Sequence, residues 1–319
     1  MSGKVLVSGA TGLIGSALVR SFAADGTGVV AAVRDVGKAE DAFAGVRGVE
    51  IVRWDVLEPA PRAVLECGAD RFVHAASETA SRAFVDMPVE TIRSVLHGTE
   101  NALEAARGMG VKSMVFLSTM EVYGAPTVER VAERDYGYLD PLSVRSSYPE
   151  SKRMAETLCV AYASEHGVPV RIARLAQTFG EGVRRDDPRV FAEFARAVVE
   201  RRDIVLKTDG ATARCYCHVG DAIDAIRIVL EKGEAGQAYT VANEKTFCTI
   251  REMAERLVAA HPESGSKVVF DSSGAEKRGF APPFRMRLDA SRLKALGWTP
   301  KVGLVEMFSR MIADMRGGK

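Results

Sequence analysis

Short apolar runs alternate with longer segments of helical periodicity along the first half of the chain. Short runs rich in Val, Ile and Ala, bounded by Gly or polar residues, are typical of buried parallel strands. The predicted strands cover residues 5–8, 29–33, 51–54, 71–77 and 113–117, and predicted helices lie near 17–23, 89–107 and 148–165. This alternation predicts an α/β fold with a doubly wound parallel sheet that extends to about residue 175.

The pattern changes after residue 178, where shorter apolar runs and separate helical segments follow. Asp221 is the expected N-cap of one of these helices, and His261-Pro262 ends another. The segment 272–283 contains several Gly and Pro residues and is predicted to be a loop. The predicted helices cover 189–201, 221–230 and 250–260, and the predicted strands cover 205–206, 214–216 and 238–241.

Composition excludes several classes of partner. The chain has 43 basic and 42 acidic residues, a net charge of +1, which gives no electrostatic reason to expect nucleic acid or a membrane surface as a partner. No apolar run approaches the ~18 residues of a membrane span. The N-terminus enters a strand pattern at Lys4, without a signal-peptide pattern, so a cytoplasmic location is expected.

The cysteines are few and scattered, which argues against disulfides and against a metal site. Two of them, Cys215 and Cys217, alternate along a predicted strand and so share a face. A metal site would require two further ligands at a second short spacing, and the sequence offers none. We expect reduced thiols and no bound metal at all five positions, Cys67, Cys159, Cys215, Cys217 and Cys248.

A glycine-rich turn between the first strand and the first helix points to a dinucleotide. Glycines permit a tight turn and a close approach of the backbone, and the helix N-terminus offers N–H groups to a pyrophosphate. The fold expected is therefore of the Rossmann type. The residues predicted to contact the cofactor here are Gly9, Thr11, Gly12, Leu13, Ile14 and Gly15.

The same reasoning divides the chain into two predicted units. Residues 1–178, with a return segment at 212–246, are expected to form the dinucleotide-binding domain. Residues 179–211 and 247–319 are expected to form a smaller C-terminal α/β lobe.

Residues at the ends of the next strands predict how the dinucleotide is held. Arg34 could accept the 2′-phosphate of NADP, whereas Asp35 lies one place too late for the acidic residue that binds the ribose of NAD. The choice between NAD and NADP stays open, because Arg34 could instead stack on the adenine or face solvent. The remaining predicted cofactor contacts are Asp55 and Val56 near the adenine, and the small residues Ala75, Ala76 and Ser77 after the fourth strand.

Tyr148 and Lys152 are four residues apart, which places them on one face of a helix. An ammonium beside a phenol favours the phenolate, so the pKa of Tyr148 is expected to fall from about 10 towards neutrality. A tyrosine of this kind can take a proton from a sugar or alcohol hydroxyl and return it. Ser118, Thr119 and Glu121 follow the fifth strand, whose carboxyl end faces the same crevice.

These motifs together resemble the extended short-chain dehydrogenase/reductase superfamily, and within it the branch of nucleotide-sugar epimerases, dehydratases and decarboxylases. The resemblance covers nearly the whole chain. By spacing, UDP-glucuronate decarboxylase is the nearest subgroup. The matching segments are Gly9-x-x-Gly12-x-x-Gly15, Leu117 to Gly124, Arg145 to Glu156, Gly210 to Asp221 and Leu296 to Pro300.

The resemblance implies that the smaller lobe, residues 179–211 and 247–319, binds the substrate. It also implies roles for individual residues. Thr119, Tyr148 and Lys152 would be catalytic, and Glu121 would be either a second acid/base or a partner that orients a neighbour. Ser118, Tyr148 and Lys152 would also lie against the cofactor. Arg214 would bind the substrate diphosphate, and Arg285 would make another phosphate or nucleotide contact.

Departures from the family pattern concern the substrate. Met120 replaces a polar residue between Thr119 and Glu121, and an apolar side chain cannot protonate a leaving hydroxyl. Gln177 replaces a usual asparagine, and Val95 replaces another. We therefore include Thr119, Met120 and Gln177 among the predicted substrate contacts and expect a headgroup or linker that is held differently.

The function favoured at this point is an NAD(P)-dependent nucleotide-sugar epimerase that forms a transient keto-sugar. A nucleotide-sugar decarboxylase or 4,6-dehydratase is the neighbouring alternative. An NADPH-dependent carbonyl reductase of the dihydroflavonol-reductase type and a non-enzymatic dinucleotide sensor are the others. The resemblance implies tightly bound NAD or NADP, and a homodimer formed through the helices near 89–107 and 148–165.

Overall fold

The computed structural model describes residues 3–79, 82–271 and 284–317. The predicted loop at 272–283 lies outside the described residues. The strands are β1 (Lys4–Ser8), β2 (Gly28–Val33), β3 (Val49–Arg53), β4 (Ala69–His74), β5 (Ser113–Thr119), β6 (Arg130–Val131), β7 (Val170–Leu175), β8 (Gln177–Phe179), β9 (Ile204–Leu206), β10 (Ala213–His218), β11 (Ala238–Val241), β12 (Asn243–Thr249), β13 (Val268–Phe270) and β14 (Arg285–Leu288).

Helices connect most of these strands. Single-turn 3₁₀ segments lie at Met120–Tyr123, Val144–Ser146 and Pro262–Ser264. The α-helices are α1 (Leu13–Ala24), α2 (Val36–Ala42), α3 (Arg62–Leu65), α4 (Ala83–Asp86), α5 (Pro88–Met109), α6 (Ser147–His166), α7 (Val190–Val199), α8 (Val219–Lys232), α9 (Ile250–Ala260), α10 (Ser291–Ala295) and α11 (Leu304–Gly317).

The larger sheet has seven parallel strands in the order β11-β7-β5-β4-β1-β2-β3. The chain order reverses between β1 and β4, and ligands of such sheets bind at that point, beyond the carboxyl ends of the strands. The predicted doubly wound parallel sheet is confirmed.

Both faces of this sheet are buried, as its apolar strands require. Side chains alternate along β1, so that Val5 and Val7 pack into one hydrophobic cluster and Leu6 packs into the other. The first cluster includes apolar residues of α1 and α8, and the second includes those of α5 and α6. The sheet is therefore a fully covered platform, and only its edges and strand ends are open to a ligand.

The second half of the chain builds smaller sheets beside this platform. One has five strands, with β10 antiparallel to β12 and parallel to β14 and β8, and β6 pairs with β14. β9 and β13 form a separate pair. Helix α7 packs its apolar side chains into the core, where Phe191 stacks on Phe179 with ring centroids 4.6 Å apart. α8 and β11 return to the larger sheet, and the division into two lobes stays a prediction.

The predicted N-cap of α8 is wrong. The helix begins at Val219, and the side chain of His218 caps it by accepting the N–H of Gly220 at 3.1 Å. Asp221 lies in the first turn and is only 2% exposed. Its carboxylate accepts the backbone N–H groups of Lys301 and Val302, each at 3.0 Å. An acid does lie near the start of α8, as the sequence predicts. Its carboxylate binds the backbone at Lys301 and Val302 instead of capping the helix.

Several predictions about single residues can be compared with their positions. All five cysteines are free and buried, and Cys215 and Cys217 lie in the same hydrophobic cluster. Within the described ranges, no three His, Cys, Asp or Glu side chains are grouped so as to hold a metal ion.

The apolar face of α6 with Ala155 and Cys159 packs into the core, so it is not free to form a dimer contact. The homodimer stays a prediction.

None of the helices in the described parts of the chain has both the length and the apolar character that crossing a bilayer requires.

We predict that Asp221→Ala lowers the free energy of unfolding by roughly 2–4 kcal/mol, because the buried N–H of Val302 and the partly buried N–H of Lys301 lose a charged acceptor. Asp224→Ala is the matched control on the same helix. Its carboxylate is 45% exposed and pairs with the side chain of Lys301, so its loss should cost about 0–1 kcal/mol. Urea unfolding of both variants measures the difference, and equal losses would contradict the buried role of Asp221.

Candidate active site

A cleft opens at the carboxyl ends of the central strands of the larger sheet. Residues of both halves of the chain line it, because β8 and β10 bring the smaller sheet to the same edge. The lining residues are Gly12, Leu13, Ile14, Gly15, Ala75, Ser77, Thr79, Phe84, Leu117, Ser118, Thr119, Met120, Glu121, Tyr148, Lys152, Leu175, Ala176, Gln177, Thr178, Arg189 and Arg214. Most of the predicted site residues therefore lie together.

The glycine turn forms one end of the cleft. Gly9 has φ +68°, and a Cβ there would lie 2.7 Å from the backbone of Ala76. A Cβ on Gly15 would lie 2.1 Å from the carbonyl oxygen of Gly9. Helix α1 starts at Leu13, and within the described residues no side chain caps its N-terminus and no acid lies in its first turn. The first N–H groups of α1 thus remain for an anion, and the turn fits a dinucleotide pyrophosphate.

The predicted contacts for the adenosine end lie outside the cleft lining. Arg34 is exposed at the end of β2, and in the described chain its guanidinium makes no hydrogen bond or ion pair. Asp35 caps α2, accepting the N–H of Lys38 at 3.0 Å. Asp55 closes its own turn by accepting the N–H of Leu57 at 3.1 Å. Thr11, Gly9, Ala76 and Val56 also lie outside the lining.

Tyr148 and Lys152 lie one helical turn apart on α6, as predicted from their spacing. Both are nearly buried, at 6% and 3% exposure. The ammonium of Lys152 donates to the carbonyl oxygen of Leu117 at 2.9 Å, and it lies 5.9 Å from the centroid of the Tyr148 ring. The pair is therefore fixed between α6 and the end of β5.

The expected fall in the pKa of Tyr148 is wrong for this arrangement. Burial raises the pKa of Tyr148 well above its usual value, and the nearby charge of Glu121 raises it further. Interactions with Thr119 and Arg145 act in the opposite direction but are weaker. Burial also lowers the pKa of Lys152 to about 8. The sequence spacing located the pair, but it contained no information about how deeply both groups are buried.

An aromatic stack holds the Tyr148 ring in place. Phe84, from α4, lies face to face with it, with ring centroids 4.1 Å apart and planes 4° apart. The guanidinium of Arg145 lies 5.0 Å from the Phe84 ring centroid and donates to the Glu121 carboxylate at 2.8 Å. Thr119 positions Glu121 by accepting its backbone N–H at 3.2 Å. Glu121 is therefore already paired with a cation at the cleft.

The sequence patterns did not single out Phe84, Arg145 or Arg189 as site residues. Arg145 could have been found, because it lies three residues before Tyr148 at the start of the same helical segment. Phe84 is far from Tyr148 in sequence, and no local pattern connects the two. Arg189 precedes α7 and is held by the carboxylate of Asp187 at 2.9 and 3.1 Å.

The remaining predicted substrate contacts differ in position. Met120 is only 5% exposed and lines the cleft, as does Gln177. Arg214 also lines it, and its buried Nε has no hydrogen-bond partner among the residues that the structure describes. An N–H donor of this kind is suited to an anionic group of a ligand. Arg285 lies on β14, exposed and over the Phe247 ring, and is not part of the cleft lining.

Comparisons with known proteins agree with this architecture. The model of the NAD dependent epimerase/dehydratase family matches residues 5–243. UDP-glucuronic acid decarboxylase 3 of Arabidopsis thaliana is 32% identical over 98% of this chain and 89% of that protein. UDP-glucuronic acid decarboxylase 1 of Xenopus tropicalis is 28% identical over 98% of this chain and 72% of that protein.

Solved structures with the same fold are less similar in sequence. An epimerase from Methanothermobacter thermautotrophicus has a TM-score of 0.85 at 21% identity, covering 99% of this chain and 92% of that one. The dTDP-glucose 4,6-dehydratase DesIV from Streptomyces venezuelae, solved with NAD bound, has a TM-score of 0.81 at 24% identity, covering 99% and 97%.

A covered parallel sheet with a glycine turn and a Tyr–Lys pair at its carboxyl edge defines a protein of the short-chain dehydrogenase/reductase class. The chain belongs to the NAD-dependent epimerase/dehydratase family, within the extended branch of that class. The family membership predicted from the motifs is confirmed.

We predict that Gly15→Ala weakens the binding of dinucleotide by roughly tenfold or more, because a methyl group there forces the glycine turn apart. Gly37→Ala is the matched control, a glycine of α2 whose added Cβ would meet no described side chain closer than the Asp35 carboxylate, at 3.7 Å. It should leave binding unchanged and stabilise the fold slightly, since Ala favours a helix. Calorimetric titration with NADH and NADPH measures both, and unchanged binding in Gly15→Ala would exclude the turn as the pyrophosphate site.

Proposed function

We propose that this protein is an epimerase that reversibly oxidises a hydroxyl of a nucleotide-sugar. One observation carries the proposal: Tyr148, Lys152 and Thr119 converge beside the glycine turn, in a cleft with no second free acid/base among its described residues. Met120, which lies between Thr119 and Glu121, is apolar and cannot transfer a proton. The Glu121 carboxylate is paired with Arg145. Epimerisation through a keto intermediate needs a single acid/base group, because the oxidation is later reversed.

The chain's own groups supply the proton transfer. Tyr148 accepts the proton of the substrate hydroxyl and later returns it. Thr119 donates a hydrogen bond to the same oxygen and steadies the carbonyl that forms. Lys152 keeps a positive charge next to the phenolate. When bound at the glycine turn, the dinucleotide supplies a hydride acceptor that is regenerated in each turnover.

The charges around Tyr148 set how readily it loses its proton. Burial raises the pKa of Tyr148 the most, and the charge of Glu121 raises it further. Arg145 and Arg189 favour the phenolate, and Arg145 also neutralises Glu121. The ion pair between Arg145 and Glu121 therefore favours loss of the proton from Tyr148. This supports the role of Glu121 as an orienting partner.

Arginines on the smaller sheet's side of the cleft suit the diphosphate of a nucleotide-sugar. Arg214 offers a buried N–H without a partner among the described residues, and Arg189 also lines the cleft. Both the Arabidopsis thaliana relative and DesIV are named for nucleotide-sugar substrates. The contact proposed for Arg285 would require this exposed side chain to reach the nucleotide from outside the cleft lining.

Decarboxylation of a nucleotide-linked uronate is a second candidate, favoured by the decarboxylase names of the relatives that are 31–32% identical. Oxidation at the carbon next to the one that bears the carboxylate gives a β-keto acid, which loses CO₂ readily. The two reactions share their first step, so the product distinguishes them. An epimer retains every carbon atom of the sugar, whereas a decarboxylase releases CO₂ and leaves a pentose.

We predict that the protein converts a UDP-, dTDP- or CDP-linked hexose or uronate without net change in the absorbance of the reduced dinucleotide. Tyr148→Phe should lower turnover by about 10²–10⁴-fold, because the acid/base group is lost. Tyr162→Phe, on the same helix with its hydroxyl on Glu104, should remain active. Chromatography of the nucleotide-sugars after incubation measures both.

The outcomes of this experiment separate the candidates. A new hexose isomer supports epimerisation, and CO₂ with a nucleotide-pentose supports decarboxylation. Stoichiometric oxidation of added NADPH by a carbonyl substrate would exclude both functions and indicate a reductase. Full turnover of Tyr148→Phe would remove the proposed role of the tyrosine in any of these reactions.

We also propose NADP as the preferred dinucleotide, because Asp35 is used as a helix cap and Arg34 is free among the described residues. Arg34→Asp should reverse the preference towards NAD by removing the cation that would pair with the 2′-phosphate. Arg53→Asp, at the exposed end of the neighbouring strand β3, is the control for a general charge effect. Calorimetric titration of each variant with both dinucleotides measures the ratio, and an equal shift in both variants would contradict a specific contact.

A further inference from the structure

A buried polar cluster lies directly behind the catalytic groups and is not used in the proposed chemistry. Ser118 on β5 and Arg174 on β7 are register partners on adjacent parallel strands. Both side chains meet Glu156 of α6, and all three residues are at most 6% exposed. The hydroxyl of Ser118 donates to Oε1 of Glu156 at 2.5 Å.

Arg174 holds the same carboxylate in a two-pronged contact. Its Nε donates to Oε1 at 2.9 Å, and its Nη2 donates to Oε2 at 2.6 Å. Its Nη1 donates to the carbonyl oxygen of Glu133 at 2.6 Å. A planar guanidinium bound in this way fixes both the position and the orientation of a carboxylate. Glu156 is therefore attached to both strands at once.

The cluster continues the catalytic face of α6. Tyr148, Lys152 and Glu156 follow each other at intervals of four residues, so they lie one above the other on the helix. Ser118 immediately precedes Thr119 on β5. A bond between Ser118 and Glu156 therefore links the helix that carries the acid/base pair to the strand that carries the hydroxyl donor.

We propose that Glu156, held by Arg174 and Ser118, is a positioning residue that sets α6 against β5 and places a carboxylate one helical turn from the Lys152 ammonium. The effect on turnover rests on the proposed function. The effect on Lys152 does not, because it can be measured without a substrate.

The groups that face Lys152 support this assignment. His74 faces it from β4, and burial lowers the pKa of His74 to about 3, so that the ring is neutral. On α6 itself, burial raises the pKa values of Tyr148 and Cys159, which disfavours a negative charge on either group. Burial lowers the pKa of Lys152, and nearby Cys159 and Glu156 oppose this. The carboxylate of Glu156 is the one that pairs with a cation, Arg174, at 2.6 Å.

The test is the pH at which Lys152 becomes reactive, followed by competitive labelling with acetic anhydride and mass spectrometry of the full-length protein. In Glu156→Gln the half-labelling pH of Lys152 should fall by roughly one unit, because the neighbouring anion is gone. Glu165→Gln is the matched control. It removes one negative charge from the same helix at a side chain that is 76% exposed, and it should leave the midpoint unchanged.

Two further variants keep the test decisive. If Glu156→Gln does not fold, Glu156→Gln/Arg174→Gln replaces both charges with amides. Its midpoint should fall by less, because the loss of the Arg174 cation offsets part of the loss of the anion. Ser118→Ala keeps the anion, so its midpoint should stay near that of the wild type while kcat on the nucleotide-sugar falls several-fold at unchanged KM. A folded Glu156→Gln or double variant with the wild-type midpoint would overturn the proposal.

Failure of the proposed function would look different. In that case no nucleotide-sugar is converted by the wild type, yet the labelling midpoint of Lys152 still falls in Glu156→Gln. A fall in that midpoint therefore supports the role of Glu156 whatever the substrate proves to be.

Discussion

The packing of α6 against the end of β5 is the interaction on which the cleft depends. The strand supplies the carbonyl oxygen that binds Lys152, and the helix supplies Tyr148, whose ring is then enclosed by Phe84. Because the sheet is covered on both faces, these groups can meet a ligand only at the strand ends. The same packing removes Tyr148 and Lys152 from water. Their pKa values are therefore sensitive to nearby charges, which is why Arg145 and Glu121 affect the pKa of Tyr148.

The smaller sheets complete the site. Strand β10 pairs with β8, which continues the chain from the larger sheet, so Arg214 and Gln177 reach the same cleft as the glycine turn. The C-terminal segment is fastened to α8 through Asp221, and α8 itself packs on the larger sheet. The part of the cleft suited to a diphosphate is thus held by long-range contacts, whereas the glycine turn is formed by consecutive residues.

This difference explains what could be predicted from the sequence. The glycine turn, the parallel sheet and the spacing of Tyr148 and Lys152 are local patterns with a fixed period, and they were found correctly. The partnership of Phe84 with Tyr148 joins distant parts of the chain and has no such period. The pKa of Tyr148 was predicted in the wrong direction because burial is a property of the folded protein. Asp221 was misassigned because the N-cap, His218, and the first-turn acid are only three positions apart.

The face-to-face stack of Phe84 on Tyr148 has a consequence for stereochemistry. A ring packed at 4.1 Å against another cannot swing out of its plane without displacing the core behind it. The phenol oxygen is therefore a stationary point, and so is the glycine turn. In the proposed epimerisation, the keto-sugar itself must then turn over between the two hydride transfers. In this proposal, the sugar turns by rotation about flexible bonds of the substrate, while Tyr148 and the glycine turn stay in place.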